Sequence, residues 1–401
     1  MRGCLNILKM KISINDGFRN IKEDYLFSEI AKRVGDYIRA NPEKKVLKLG
    51  IGDVTLPITK SVTEAMQRAV DEQSRSESFH GYAPDCGYDF LRQAVCDYYL
   101  RRGTKISKDE VFIGDGSKSD IANFTDILGD NTILITDPVY PVYRDSNLLC
   151  GRKIEYIGAN KENRFLPAPP KEEKPYVIYL CSPANPTGAV YSRGELSEWI
   201  DYALRTGSLI LFDAAYEAYI TDGSPRSVFE IERARECAVE FGSLSKSAGF
   251  TGTRCSYTVI PTELEAGKIK LSRLWARRQA TKFNGVPYVV QRGAEAAFCA
   301  KGEAEWMENV RYYLSNAEIL TSALRSKEIE FTGGSCSPYI FMKCPKGMSS
   351  WEFFDFMLRN AQLVGTPGIG FGAAGEGYFR LSAFNDREVI TKAADRMKAL
   401  L

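Results

Sequence analysis

The residues best suited to covalent chemistry lie in one short segment, SLSKSAGFTGTR, which begins at Ser243 and follows an apolar run. Lys246 stands there among small side chains. A lysine buried after a strand loses hydration, which lowers its pKa and makes its amine a nucleophile for aldehydes. Ser243, Ser245 and Arg254 are close in sequence, and hydroxyls with a forked guanidinium bind phosphate. The segment therefore predicts a reactive amine beside a phosphate site.

Three further segments carry polar residues at the ends of other apolar runs. LILFDAAYEAYI places Asp213 three residues before Tyr216, and YLCSPANPTG contains Asn185. Taken singly, Asp213 and Asn185 are also typical of helix caps and turns. In DGSKSD a helix begins at Ser117 and Lys118, and backbone N–H groups at a helix start form an anion cradle.

These segments need a scaffold that brings strand ends together. From about residue 60, helical periodicity alternates with short β-branched runs, as in βα units covering a mostly parallel sheet. The carboxyl ends of such strands share one edge, where ligands bind. Ser192 with Glu195 is a capping-box pattern and predicts a helix at 193–204. The predicted strands are 111–113, 132–136, 176–181, 208–212, 237–241 and 257–260.

The pattern changes after about Gly293, where a long helical stretch runs to Leu324. A Gly-rich turn, a short strand at 339–342 and a helix at 351–359 follow. Residues before Lys60 contain too few apolar side chains to fold alone. We therefore predict a large domain at 60–294, and a small domain formed by 10–59 together with 295–401.

Composition excludes several classes of protein. The 401 residues include 53 Lys and Arg against 51 Asp and Glu, so no charge excess favours nucleic acid or anionic membrane. The ten cysteines form no CxxC pair, and His80 is the only histidine, which excludes His-rich metal sites. No signal-peptide or membrane-spanning run is present. We expect a cytoplasmic protein that binds neither nucleic acid nor membranes.

Together, and in this chain order, the motifs resemble the fold-type I pyridoxal 5'-phosphate (PLP) enzymes of the aspartate aminotransferase superfamily. The resemblance implies an α/β fold, with a large domain containing a mostly parallel mixed sheet flanked by helices and a smaller α+β domain. It implies that Lys246 binds the cofactor covalently and that Asp213 faces the pyridine nitrogen. Tyr216 and Asn185 would hydrogen-bond the phenolic oxygen of the cofactor.

The same resemblance implies the remaining cofactor contacts and a homodimer with shared active sites. Tyr140, in DPVYP, would stack on the ring, and Tyr82 would reach across from the second subunit. Arg380, in GYFRLSAF, would bind the α-carboxylate of amino-acid and keto-acid substrates, for which a planar fork is well shaped. The implied phosphate contacts are Ser117, Lys118, Ser243, Ser245 and Arg254.

Longer segments, including LGIGDVT, LFDAAYEAYI and KFNGV, resemble the LL-diaminopimelate aminotransferase family. That likeness implies interconversion of tetrahydrodipicolinate plus glutamate with LL-diaminopimelate plus 2-oxoglutarate, in lysine and cell-wall precursor synthesis. In GYAPDCG, Asp85 stands where the family usually has Glu, and Cys86 replaces a frequent Gln. Tyr25, Asp85 and Asn284 would come from the neighbouring subunit. The implied substrate contacts are Arg380, Tyr25, Gly52, Asp85, Lys118, Tyr140, Asn185 and Asn284.

Other functions stay open at this point. The superfamily includes aminotransferases for aspartate or aromatic amino acids, lyases, and ligand sensors in transcription regulators. A sensor would need an appended basic DNA-binding domain, for which no residues remain. The Gly-rich run GTPGIGFGAAGEG superficially resembles a dinucleotide fingerprint, but no clear strand precedes it and no helix follows, which disfavours an oxidoreductase. We expect this run to form turns that position Arg380.

Overall fold

The computed structural model describes residues 12–21 and 26–401. Most helices in this part carry one buried and one exposed face and cover a central sheet. The helices are α1 (Leu26–Ala40), α2 (Lys60–Gln73), α3 (Asp89–Leu100), α4 (Ser117–Phe124), α5 (Pro141–Leu149), α6 (Arg193–Thr206), α7 (Leu271–Lys282), α8 (Tyr288–Phe298), α9 (Ala300–Arg325), α10 (Ser350–Ala361) and α11 (Arg387–Leu400).

The strands form a large sheet, a small sheet and two short pairs. They are β1 (Leu47–Lys48), β2 (Val111–Gly114), β3 (Ile133–Asp137), β4 (Ile154–Gly158), β5 (Val177–Cys181), β6 (Leu209–Asp213), β7 (Ala238–Ser243), β8 (Ser256–Val259), β9 (Glu265–Ala266), β10 (Ile269–Lys270), β11 (Phe331–Gly333), β12 (Tyr339–Lys343), β13 (Leu363–Val364), β14 (Thr366–Pro367) and β15 (Tyr378–Ser382).

The large sheet has the strand order β2-β8-β7-β6-β5-β3-β4. β8 runs antiparallel to both of its neighbours, and the other pairs are parallel. The carboxyl ends of the parallel strands and the start of β8 therefore lie at one edge. In the register, Ser256 pairs with Gly114 on one side and with Ser243 on the other. This α/β arrangement confirms the predicted fold class.

The smaller unit contains the antiparallel sheet β11-β12-β15-β14 and helices α10 and α11. The segment before α2 contributes β1, which pairs in parallel with β13. Leu47, Leu49 and Phe353 lie in the same apolar core. The two units share α9, because Trp306 belongs to the core of the large unit and Leu320 to that of the small unit.

The structure refines several sequence predictions. The predicted strands of the large sheet are confirmed with shifts of one or two residues, and β4 was missed. The capping box is confirmed, with the Ser192 amide 2.8 Å from Glu195 Oε2. The predicted long helix after Gly293 is two helices, α8 and α9, separated at Cys299 in an extended conformation.

The beginning of the described chain lies in a different place from the one predicted. Asn15 Nδ2 donates to the Leu149 carbonyl at 2.9 Å, at the end of α5 in the large unit. A Cβ atom at Gly17 would lie 2.5 Å from that same carbonyl oxygen, so the backbones approach closely. Residues 12–21 therefore pack on the large unit, whereas the sequence analysis placed 10–59 in the small domain.

Candidate active site

A cavity of about 250 Å³ opens at the carboxyl edge of the large sheet. Its walls come from the loops after β2, β3, β5, β6 and β7, from the segment before β8 and from the small sheet. The predicted residues that line it are Gly52, Ser117, Lys118, Tyr140, Asn185, Asp213, Tyr216, Ser243, Ser245, Lys246, Arg254 and Arg380. The structure adds Tyr143, Cys181, Ala215 and Tyr339.

Lys246 enters this cavity from the turn that follows β7. Its Nζ donates to the Gly52 carbonyl oxygen, and its own carbonyl accepts from the Tyr219 hydroxyl at 2.9 Å. Burial lowers the pKa of Lys246 to about 8; Arg254 and Arg380 act in the same direction, although Asp53 opposes them. The neutral, nucleophilic form of the amine is therefore far more populated near neutral pH than in an exposed lysine.

Asp213 ends β6 and is buried at the floor of the cavity. Its Oδ2 accepts from the Tyr143 hydroxyl at 2.6 Å and its Oδ1 from the Ala215 amide at 3.0 Å. Burial raises the pKa of Asp213 to about 6, and these two hydrogen bonds oppose the rise. The side chain is consequently a carboxylate at neutral pH and can pair with a cationic group of a ligand.

Arg380 connects the small sheet with the large one. Its Nη1 donates to Asn185 Oδ1 at 2.7 Å and its Nη2 to the Gly50 carbonyl at 2.7 Å. Thr366, which lies opposite Arg380 in the register of β14 and β15, comes from the Gly-rich run and also contacts the guanidinium, at 3.4 Å. Arg380 Nε is buried without a hydrogen-bond partner among the described residues. A carboxylate ligand would supply acceptors for this group.

Tyr216 and Tyr339 form a pair of buried hydroxyls in the wall of the cavity. Their oxygen atoms are 2.8 Å apart, and burial raises the pKa of Tyr216 well above its usual value. Both groups therefore remain protonated donors. The Tyr339 ring also lies 4.3 Å from the Arg380 guanidinium, a cation–π contact that fixes the arginine.

One end of the cavity is suited to an anion. Ser117 and Lys118 start α4, whose positive dipole end points there. Arg254 Nη1 lies 3.4 Å from Ser245 Oγ, and Ser243 Oγ accepts from the Ser245 amide at 3.2 Å. A Cβ atom at Gly116 would lie 1.9 Å from Arg254 Nη2, so this glycine lets the guanidinium approach the helix start.

Three of the predicted residues that the structure describes do not line the cavity. Tyr82 is 89% exposed, Asp85 is half-buried and Asn284 is exposed. The loops that carry them touch, since a Cβ atom at Gly285 would lie 2.7 Å from that of Ala83. Tyr25 lies outside the described residues. Tyr82, Asp85 and Asn284 therefore do not reach the cavity of their own chain.

The sequence analysis missed two of the buried tyrosines at the site. Tyr143 lies in the first turn of α5, three residues after the N-cap Tyr140, and this proximity in sequence was a usable signal. Tyr339 had no such signal, because it lies on β12, far from the other motifs in the chain.

Within residues 12–21 and 26–401, no group of three or more His, Cys, Asp or Glu side chains is arranged to hold a metal ion. His80 packs instead on Tyr288, with ring centroids 3.8 Å apart. Among the described helices, none is long and apolar enough to cross a bilayer.

Comparison with known proteins agrees with this geometry. The sequence profile of aminotransferase class I and II matches residues 44–397. The chain belongs to this aminotransferase family. It is 49% identical to the LL-diaminopimelate aminotransferase of Lachnospira eligens over 96% of this chain and 99% of the relative. It is 50% identical to that of Prochlorococcus marinus, with the same coverage of both chains.

Solved aminotransferase structures extend the comparison. The L,L-diaminopimelate aminotransferase of Chlamydomonas reinhardtii superimposes with a TM-score of 0.92 at 37% identity, covering 98% of this chain and 99% of that one. An aspartate aminotransferase of Thermus thermophilus superimposes with a TM-score of 0.85 at 20% identity, covering 97% and 100%. The second likeness shows a shared aminotransferase fold.

Proposed function

We propose that this aminotransferase uses PLP to interconvert tetrahydrodipicolinate plus L-glutamate with LL-diaminopimelate plus 2-oxoglutarate. The observation that carries the proposal is that one cavity contains three buried groups. They are the Lys246 amine with its lowered pKa, the Asp213 carboxylate and the Arg380 guanidinium. The similarity to LL-diaminopimelate aminotransferases along nearly the whole chain supports the choice of substrate.

The cavity residues fit PLP at each of its functional groups. Lys246 offers an amine to the aldehyde, and Asp213 offers a carboxylate to the ring nitrogen. The start of α4, with Ser245 and Arg254, offers donors to the phosphate. Tyr140 would cover the ring face, while Tyr216 and Asn185 would donate to its phenolic oxygen. Each arginine of the cavity thus has an anion to bind, since Arg254 would contact the phosphate and Arg380 the substrate carboxylate.

When bound, PLP supplies an electron sink that stabilises negative charge at the Cα atom of the amino-acid substrate. Lys246 would hold the cofactor through its amine, and the same amine, when free and neutral, would move the proton at the substrate Cα. Its lowered pKa suits this role, because general bases work best when their pKa is near the operating pH. Asp213, as a carboxylate, would keep the ring nitrogen protonated through a charge-assisted hydrogen bond.

Arg380 binds and orients the substrate. Its guanidinium is held by Asn185 and Gly50, so little side-chain freedom is lost when a carboxylate binds. A bidentate contact with the α-carboxylate fixes the Cα–H bond relative to Lys246. The Tyr339 ring packs on the guanidinium and helps to hold it in place.

The distal half of the substrate needs residues from a second subunit, and we infer a homodimer with shared active sites. Diaminopimelate carries a second ammonium and a second carboxylate, which need an acid and hydrogen-bond donors. Asp85 and Asn284 lie on touching loops outside their own cavity, and Tyr82 is exposed beside them. Asp85 has one methylene fewer than Glu, so a bridging water would complete its contact with the distal ammonium.

The activity is tested by incubating the PLP-loaded protein with LL-diaminopimelate and 2-oxoglutarate and measuring glutamate. We expect kcat/KM for LL-diaminopimelate to exceed those for aspartate and phenylalanine by at least about tenfold, since unpaired polar groups would otherwise remain at the distal end. A preference for aspartate or phenylalanine would contradict the substrate assignment and leave the aminotransferase family unaffected.

Sharing of the site is tested with mixed dimers of Lys246→Ala and Asp85→Ala chains, each inactive or impaired alone. A shared site restores one intact centre per mixed dimer, with Lys246 from one chain and Asp85 from the other. With LL-diaminopimelate well below its KM, we expect about half of the wild-type activity. Activity no higher than the mean of the two parent variants would contradict the shared site.

A further inference from the structure

A buried acid that the mechanism does not use lies directly beneath the anion-binding end of the cavity. Asp120, the fourth residue of α4, is 3% exposed. Its Oδ2 accepts from the Ser256 hydroxyl at 2.5 Å, and Ser256 Oγ accepts from the Gly116 amide at 2.8 Å. The three residues therefore form one chain of hydrogen bonds, in which the single Ser256 proton is directed at Asp120.

This chain joins the two sides of the phosphate site. Gly116 caps α4, and Ser256 begins β8 two residues after Arg254. Ser256 is also paired in register with Ser243, which precedes Ser245 and Lys246. Fixing Ser256 to the helix start thus fixes the distance between the first turn of α4 and the residues that contact phosphate from the other side.

The surrounding backbone is shaped to admit the carboxyl group. A Cβ atom at Gly114 would lie 2.2 Å from Asp120 Oδ1, so the carboxyl group lies directly against the end of β2. Burial raises the pKa of Asp120 to about 7, an effect that Asp115 strengthens and that Ser256, Arg278 and Arg254 oppose. Burying an acid is costly, and a negative charge here would repel a phosphate. The charge of Asp120 therefore does not help to bind an anion, and its contribution lies in the hydrogen bond that it accepts from Ser256.

We propose that Asp120 and Ser256 are positioning residues that set the geometry of the phosphate site. The pair holds the start of α4 and the Arg254 segment at a separation suited to one phosphate group. This inference rests on the proposed function in that it takes the phosphorylated cofactor as the ligand. Because the pair is bonded to the start of α4, behind the phosphate end of the cavity, its loss weakens binding of the phosphate and spares the rest of the cofactor.

The test compares the dissociation constants of PLP and of unphosphorylated pyridoxal for the full-length protein freed of cofactor. We expect Asp120→Ala and Ser256→Ala each to weaken PLP binding about tenfold and pyridoxal binding less than twofold. Asp120→Asn keeps an oxygen acceptor for Ser256, and we expect it to restore PLP binding to within about threefold of wild type.

A matched control separates positioning from general destabilisation. Glu240 is also a fully buried acid, bonded to Ser227 and to the Val228 amide at 2.8 and 2.7 Å. We expect Glu240→Ala to lower the melting temperature without changing the ratio of the two dissociation constants. Equal losses for both ligands in Asp120→Ala, or an Asp120→Asn as impaired as Asp120→Ala, would overturn the inference. A wild-type protein that binds PLP no more tightly than pyridoxal would instead overturn the proposed cofactor.

Discussion

The cavity residues and the loop residues Tyr82, Asp85 and Asn284 are placed by different levels of structure. Strand ends that share one edge of the sheet bring Lys246 and Asp213 together within a single chain. The loop residues lie on an outer surface, on segments that touch each other and not the cavity. The first group is complete in a monomer, whereas the second would contribute to a site only in the proposed homodimer. We therefore expect chemistry and distal recognition to be separable by mutation.

The largest effect is expected for Lys246→Ala. Loss of the amine removes both the covalent attachment and the base, and we expect turnover to fall by roughly 10² to 10⁴-fold or more. Glutamate formation from LL-diaminopimelate measures this loss. Lys392→Ala, which changes an exposed lysine bonded to Glu388 on α11, should retain turnover within about twofold. Full turnover in Lys246→Ala would remove the lysine from the mechanism.

Asp213→Asn should have the next largest effect. The amide cannot stabilise a protonated ring nitrogen, and we expect kcat to fall by about 10² to 10³-fold. The loss should be the same with LL-diaminopimelate and with glutamate as amino donor, since both use the same ring. A stopped-flow comparison of the two half-reactions measures it. A loss with only one of the two amino donors would contradict the contact between Asp213 and the cofactor ring.

Asp85→Ala should weaken only the recognition of the distal end of the substrate. We expect the KM for LL-diaminopimelate to rise about tenfold, because a charged ammonium loses its partner. The KM for glutamate, which has no distal ammonium, should change less than twofold. Asp97→Ala, an exposed acid on α3 bonded to Gln93, serves as the control. Equal losses for both donors would show that Asp85 does not bind the distal ammonium of LL-diaminopimelate.

Tyr143→Phe should have the smallest effect, and it should depend on pH. The Tyr143 hydroxyl favours the ionised form of Asp213, so its loss should raise the pKa of that carboxyl above about 6. Activity should therefore fall about threefold near pH 6 and little at pH 8. The acid limb of the kcat/KM profile measures the shift.

Tyr179→Phe is the matched control for this prediction. It removes a neighbouring buried hydroxyl that bonds Asn147 at 3.0 Å, while its ring stacks on that of Tyr143. Its acid limb should match that of the wild type. Superimposable profiles for the wild type and Tyr143→Phe would contradict the contribution of this hydrogen bond to the pKa of Asp213.

Much of the fold could be predicted from local patterns. The period of apolar residues located most strands of the large sheet, and Ser192 with Glu195 marked the start of α6. β4 was missed because its residues are mostly half-buried or exposed and its apolar pattern is weak. Cys299 was missed as a helix break because the apolar pattern continues across it.

The sequence by itself determined which residues could do chemistry, because Lys246, Asp213 and Asn185 each stand where an apolar run ends. Only the tertiary structure decided their partners. Arg380 meets Asn185 across 195 residues of chain, and Tyr143 meets Asp213 across 70. Local propensity cannot specify such contacts, since they depend on strand order and on how the small sheet packs against the large one. In the proposed homodimer, the positions of Tyr82, Asp85 and Asn284 would likewise depend on contacts between subunits.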